Sequence, residues 1–166
     1  MAISTIIKTK RDGKITLSDN GAANTLVIDY EAGDFSMTVG GASVSLFLNR
    51  GKIGATPSIR YNEDQPITFS FSAYFRDLSD AGYETLSEVL LQSGAVGSGW
   101  VSTMGANGEV FAIDVGILIE GTDHGDASDH SFTLPNCVVT GSWAEGEPNT
   151  ISVSGTSYAL LPTSIA

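Results

Sequence analysis

The sequence predicts an all-β fold: an antiparallel β-sandwich or barrel with one flanking α-helix. Three observations carry this reading. Short runs with an apolar residue at every second position recur along the 166-residue chain, and that period puts the apolar side chains on one face of a strand. Glycine occupies 19 positions and, with Pro, Asn and Asp, breaks the runs at turn-like spacing. Only one stretch, 79–93, has helical spacing of its apolar residues.

The elements follow in chain order. Asp12 and Gly13 sit between β-prone runs, a hairpin signal. TLVIDY places Leu26, Ile28 and Tyr30 on one face, and DFSMTV does the same with Phe35, Met37 and Val39 before Gly40 and Gly41 interrupt it. SVSLFL alternates Val44, Leu46 and Leu48, with Phe47 opposite. Residues 49–64 are then polar and charged with Gly and Pro breaks, which predicts a protruding loop with one short strand at SIRY. The clearest alternation follows, with Ile67, Phe69, Phe71, Ala73 and Phe75 on one face and Thr68, Ser70, Ser72 and Tyr74 on the other. Nine such residues span roughly 30 Å.

The helix comes next. Ser79 or Asp80 is one N-cap candidate, and the Thr85–Glu88 capping box is a second; Gly94 supplies the stop. Strands are then expected at GWVSTM, at EVFAIDVGILIEG (Phe111, Ile113, Val115, Ile117 and Ile119 on one face, Asp114 opposite), at SFTLPNCVVTGSW and at TISVSGTSYALL, with a hairpin signal at Asn107–Gly108. No linker or repeat divides the chain, so one domain over 1–166 is expected, with 9 to 11 strands.

Charge narrows the function. The net charge is −11, which argues against a surface that grips nucleic acid. All eight Lys and Arg residues lie at or before Arg76; from Asp77 onward there are twelve acids and no Lys or Arg. The opening MAISTIIKTKRDG has no signal-peptide-like apolar run, and no stretch approaches a membrane span, so synthesis in the cytoplasm is expected. The lone Cys137, between apolar neighbours, reads as a small core residue rather than a nucleophile.

Catalytic motifs are missing. Asp123, His124, Asp126, Asp129 and His130 gather in GTDHGDASDH, but no Cys joins them and the spacing fits no Ca²⁺ loop; a solvated turn is expected, with no metal and no cofactor. No nucleophile elbow and no phosphate-binding glycine loop occurs. Trp100 and Trp143 fit strand-end core positions, or a sugar-stacking site in a carbohydrate-binding β-sandwich. The expectation is a protein that is not an enzyme.

Across NRGKIGATPSIRYNEDQPITFSFSAYFRDLSDAGYETLSEVLLQSGAVGSGW the chain resembles the major tail tube proteins of long-tailed bacteriophages. The shared pattern is an RGK-like turn, a polar loop with a basic residue, DQP entering a long strand, a helix with L..VL...G, and GW; residues 49–100 carry it best. The resemblance implies six-subunit rings stacked head to tail into a hollow conduit for DNA in the virion tail. It also implies partners at the tail terminator, tail tip and tape-measure protein, and no membrane. On that expectation Arg50, Lys52, Arg60 and Asp64 are ring or stacking contacts, and Glu109, Asp114 and Glu120 are acids facing a lumen that repels DNA. The tube of a contractile tail or secretion device is the related alternative.

Overall fold

The computed structural model describes residues 13–20, 24–29, 34–47, 58–79, 82–105, 110–122, 125–159 and 162–163. Among the described residues, nine strands and two short helices follow one another: β1 (Gly13–Ser18), β2 (Thr25–Asp29), β3 (Ser36–Thr38), β4 (Ala42–Phe47), β5 (Ser58–Asp64), β6 (Ile67–Tyr74), α1 (Leu86–Leu91), α2 (Gly94–Gly99), β7 (Ile113–Ile119), β8 (His130–Ala144) and β9 (Thr150–Ser157). The fold is all-β. Seven strands form one antiparallel sheet in the order β2-β1-β7-β8-β9-β6-β3, and β4 and β5 form a separate two-stranded sheet.

The alternation read from the sequence decides the large sheet. Ile15 and Leu17 of β1, Ile67, Phe69, Phe71 and Ala73 of β6, Ile113, Val115 and Ile117 of β7, Leu134 and Cys137 of β8, and Ile151 and Val153 of β9 are all buried. Except for Ala73, they belong to a single buried cluster, against which Leu26, Ile28, Phe35 and Met37 pack from the edge strands. β2 and β6 are far apart in strand order, yet residues of both line one groove. The sheet therefore curls toward a barrel, apolar face inward. Phe69 and Phe71 stack inside it at 6.5 Å between ring centroids. The Phe69 ring occupies the space that a side chain on Gly155, directly opposite, would fill.

The helices plug the curl, and they differ from the expected single helix over 79–93. The Thr85–Glu88 capping box wins: Glu88 N–H donates to Thr85 Oγ1 (3.2 Å) and Thr85 N–H donates to Glu88 Oε2 (3.1 Å). Asp80, the other N-cap candidate, lies outside the described residues; the Ser79 hydroxyl donates to the second Glu88 oxygen at 2.8 Å, so the buried carboxylate is held from both sides. Gln92 takes the left-handed conformation (φ 50°) and ends α1. Gly94, read as a stop, opens α2 with φ +60°, and a Cβ there would run into the Glu88 carboxylate. Val89, Val96 and Trp100 bury against the sheet.

Other departures have equally local causes. GWVSTM forms no strand; residues 100–105 are coil and turn, held by Val101 N–H donating to the buried Asp19 carboxylate at 3.0 Å. Val39 points to solvent, 50% exposed, because the chain leaves the sheet there. The short strand expected at SIRY is present and runs on through Asn62, Glu63 and Asp64, which were expected as loop, to give β5. Tyr30 and the hairpin signals at Asp12–Gly13 and Asn107–Gly108 fall at least partly outside the described residues.

Candidate functional site

Three surfaces of the described residues stand out. The first is the β4–β5 hairpin, which pairs with itself and not with the large sheet. Val44 lies opposite Tyr61 and Leu46 opposite Ile59, so four large apolar side chains share one face. All are in water: Val44 56%, Leu46 68%, Ile59 63% and Tyr61 79% exposed. Ser45, Arg60 and Asn62 take the other face, where the Asn62 amide donates to Ser45 Oγ at 2.6 Å. At the root, the two chains pinch together: a Cβ on Gly40 would lie 2.5 Å from both the Cβ and the carbonyl oxygen of Gln65.

The second is a groove of about 430 Å³ between β2 and the start of α1. Leu26, Val27, Ile28, Ala73, Leu86 and Ile151 supply apolar walls, and Tyr74 and Tyr83 stand at it with Arg76, Asp77 and Glu84. Glu84 accepts the Trp100 indole N–H at 2.8 Å.

The third is the outer face of β3, β6, β9 and β8, where hydroxyls line up in register. One row runs Ser36, Ser70, Ser154, Thr140; the next runs Thr38, Thr68, Thr156; a third runs Ser72, Ser152, Ser142. Ser36 and Ser70 share a hydrogen bond of 2.9 Å, and Thr140 and Ser154 one of 3.1 Å. No Lys, Arg, Asp or Glu lies among these ten positions; Asp34 borders them, accepting from the Ser72 hydroxyl at 2.6 Å.

The residues singled out from the sequence divide among these places. Arg60 and Asp64 both lie on β5, exposed; Arg60 is opposite Ser45, and Asp64 is at the hairpin root opposite Ala42. Asp114 is on the outward side of β7, as the alternation required, but its carboxylate accepts the Asn136 N–H (3.0 Å) where β8 bulges with Asn136 at φ 53°. Glu120 is half-buried just past the end of β7. Arg50, Lys52 and Glu109 lie outside the described residues. Sequence reading missed the hairpin's apolar face and the groove. Val44 and Leu46 carry a signal, alternation; nothing in it says whether the covering layer comes from the same chain.

Of the Asp/His loop, Asp123 and His124 lie outside the described residues. Asp129 accepts from the N–H groups of Gly121 (3.0 Å) and Thr122 (3.3 Å), which hold its carboxyl below the usual range, and Asp126 pairs with His130 Nε2 at 2.9 Å. Among the described residues no three metal-ligating side chains converge. Trp100 is buried; Trp143, 43% exposed, directs its N–H to Ser87 Oγ at 3.5 Å.

Cys137 is fully buried, and desolvation pushes its thiol up to about 12. Near pH 8, about four units lower, only about one molecule in ten thousand carries the reactive thiolate. An aromatic disulfide reagent should leave the folded protein unmodified and titrate one thiol after denaturation; rapid labelling of the native protein would contradict this burial.

No family model matches the chain, and no curated protein is similar to it. Among solved structures, the chain is similar to the PVC sheath/tube terminator of an extracellular contractile injection system, in its extended state. The TM-score is 0.59 at 11% sequence identity, over 98% of this chain and 100% of that one. At that identity the likeness establishes a shared fold.

Proposed function

We propose that this chain is a structural subunit of a tail-like tube, assembling by itself into rings that stack head to tail. The observation that carries the reading is the β4–β5 hairpin, an arm apart from the large sheet with two apolar cross-strand pairs in water. A two-stranded hairpin is marginal alone, and an exposed apolar face of this kind marks an interaction site. The fold shared with a tube terminator and the resemblance of residues 49–100 to phage tail tube proteins support the same direction. The interface differs from a twofold one: an arm on one side and its acceptor on another make a heterologous contact, which propagates.

On this reading six copies close a ring, the rings form a DNA conduit in a virion tail, and the terminator, tip and tape-measure proteins are its neighbours. Arg60 and Asp64, with Arg50 and Lys52 between β4 and β5 in sequence, serve ring or stacking contacts. The outward face of the large sheet, with the hydroxyl rows and Asp114, is the proposed channel wall; Glu120 and Glu109 are proposed as further acids near it. No catalysis is assigned.

A second reading has its own support, because the solved neighbour ends a tube rather than building one. Negative-stain microscopy of the purified protein tests both. Open-ended tubes of variable length support the tube subunit, and uniform single rings support the terminator. A monomer at every concentration, with a tail initiator present, removes both.

A further inference from the structure

We propose that the groove between β2 and α1 is the acceptor for the β4–β5 hairpin of a second copy of this chain. The inference rests on the self-assembly reading and names the two surfaces that meet. The hairpin offers Val44, Leu46, Ile59 and Tyr61, each more than half exposed and together on one face. The groove, about 430 Å³ and open, is lined by Leu26, Ile28, Ala73, Leu86 and Ile151. Ala73 and Ile151 form the buried floor of the groove, while Leu26, Ile28 and Leu86 are only partly buried at its walls and Val27 is half exposed, so docking the hairpin there removes apolar surface of both partners from water.

The rims match as well. Tyr83 (79% exposed) and Tyr74 (38% exposed) stand at the groove, and Tyr61 stands on the hairpin. Exposed aromatic residues of this kind concentrate in protein interfaces, whereas Ser is depleted there. That contrast separates the groove from the hydroxyl rows on the outer sheet face, which make a poor docking surface.

Charge selects a second copy as the occupant. The segment 42–64 carries Arg50, Lys52 and Arg60 against Glu63 and Asp64, a slight positive excess in a chain of net charge −11. The groove has the opposite balance: Asp77 and Glu84 stand at it, with Arg76 as the one cation among its lining residues. The hairpin of one copy is thus drawn to the body of another, while body meets body with like charge.

The test uses two full-length single variants, Tyr61→Cys on the hairpin and Tyr83→Cys at the groove. Both positions are 79% exposed, so neither change disturbs the core, and the native Cys137 is buried. The variants are mixed under assembly conditions and treated with a short bismaleimide. The expected result is a covalent dimer containing one copy of each variant, several-fold more abundant than dimers from either variant alone. A third variant, Ser154→Cys on the hydroxyl rows, should give no such dimer with Tyr61→Cys. Assembly that proceeds without the mixed dimer overturns this contact and leaves the tube reading standing. A mixed dimer without rings or tubes supports the contact and removes the tube reading. Neither dimer nor assembly removes both, and preferential linkage to Ser154→Cys places the hairpin elsewhere and overturns the contact.

Discussion

Changing Leu46 and Tyr61 together to Asp is expected to leave a folded subunit that no longer associates. Each side chain sits on the hairpin with more than half its surface in water, and each has an apolar partner directly across the strand pair. If both are buried in the assembly, their removal forfeits roughly 3–6 kcal/mol of apolar burial per contact, about two to four orders of magnitude in association constant. The introduced carboxylates add a desolvation cost and face an acidic partner. The fold should be indifferent, because none of the hairpin's described side chains belongs to the buried cluster. Sedimentation velocity reads the loss of association, and thermal unfolding reads the intact body. Undiminished assembly, or a collapse in melting temperature, contradicts the role given to the hairpin.

The second large effect concerns the body. Phe69→Ala is expected to cost about 3–5 kcal/mol of a stability on the order of 5–15 kcal/mol. Phe69 is 4% exposed, stacks on Phe71 and covers Gly155 on the neighbouring strand. The same geometry fixes a sign reversal. Gly155→Ala alone drives a methyl into the Phe69 ring and should destabilise by about 1–3 kcal/mol. In the Phe69→Ala background the ring is gone, the methyl fills vacated space in a strand, and Gly155→Ala should stabilise. Denaturant titration of the two single variants and the double variant closes the cycle. Simple additivity would show that ring and glycine do not share the space described for them.

What the sequence revealed follows from what local patterns encode. The β6 alternation from Ile67 to Ala73 was readable because each inward side chain is buried by its own chain. Val44 and Leu46 alternate just as cleanly, yet end in water; a period identifies a face and is silent about whose surface covers it. The capping box of α1 was readable because all its partners lie within four residues. α2 was not, since GAVGSG has poor helix propensity and rests on the burial of Val96 and the following Trp100. The outward direction of Asp114 followed from parity, but its bond to Asn136 depends on a bulge in another strand. The strand expected at SIRY is the first part of β5, whereas its continuation through Asn62, Glu63 and Asp64 was hidden by its charged, exposed composition. The groove draws on β2, β6, β9 and α1, so no window of sequence contains it.

The pinch between Gly40 and Gln65 makes the hairpin a lever whose pivot is defined by a missing carbon atom. β4 has six residues, so the arm reaches roughly 20 Å from that pivot, and a tilt of about 10° there swings its end by about 3–4 Å. That swing is about the contact distance between two carbon atoms. A single methyl at the pivot, remote from the apolar pairs, is thus enough to throw a docking surface out of alignment while altering none of its residues. In a repeating assembly the angular error is copied at every joint, so the straightness of a long polymer is written at its hinges as much as in its contacts.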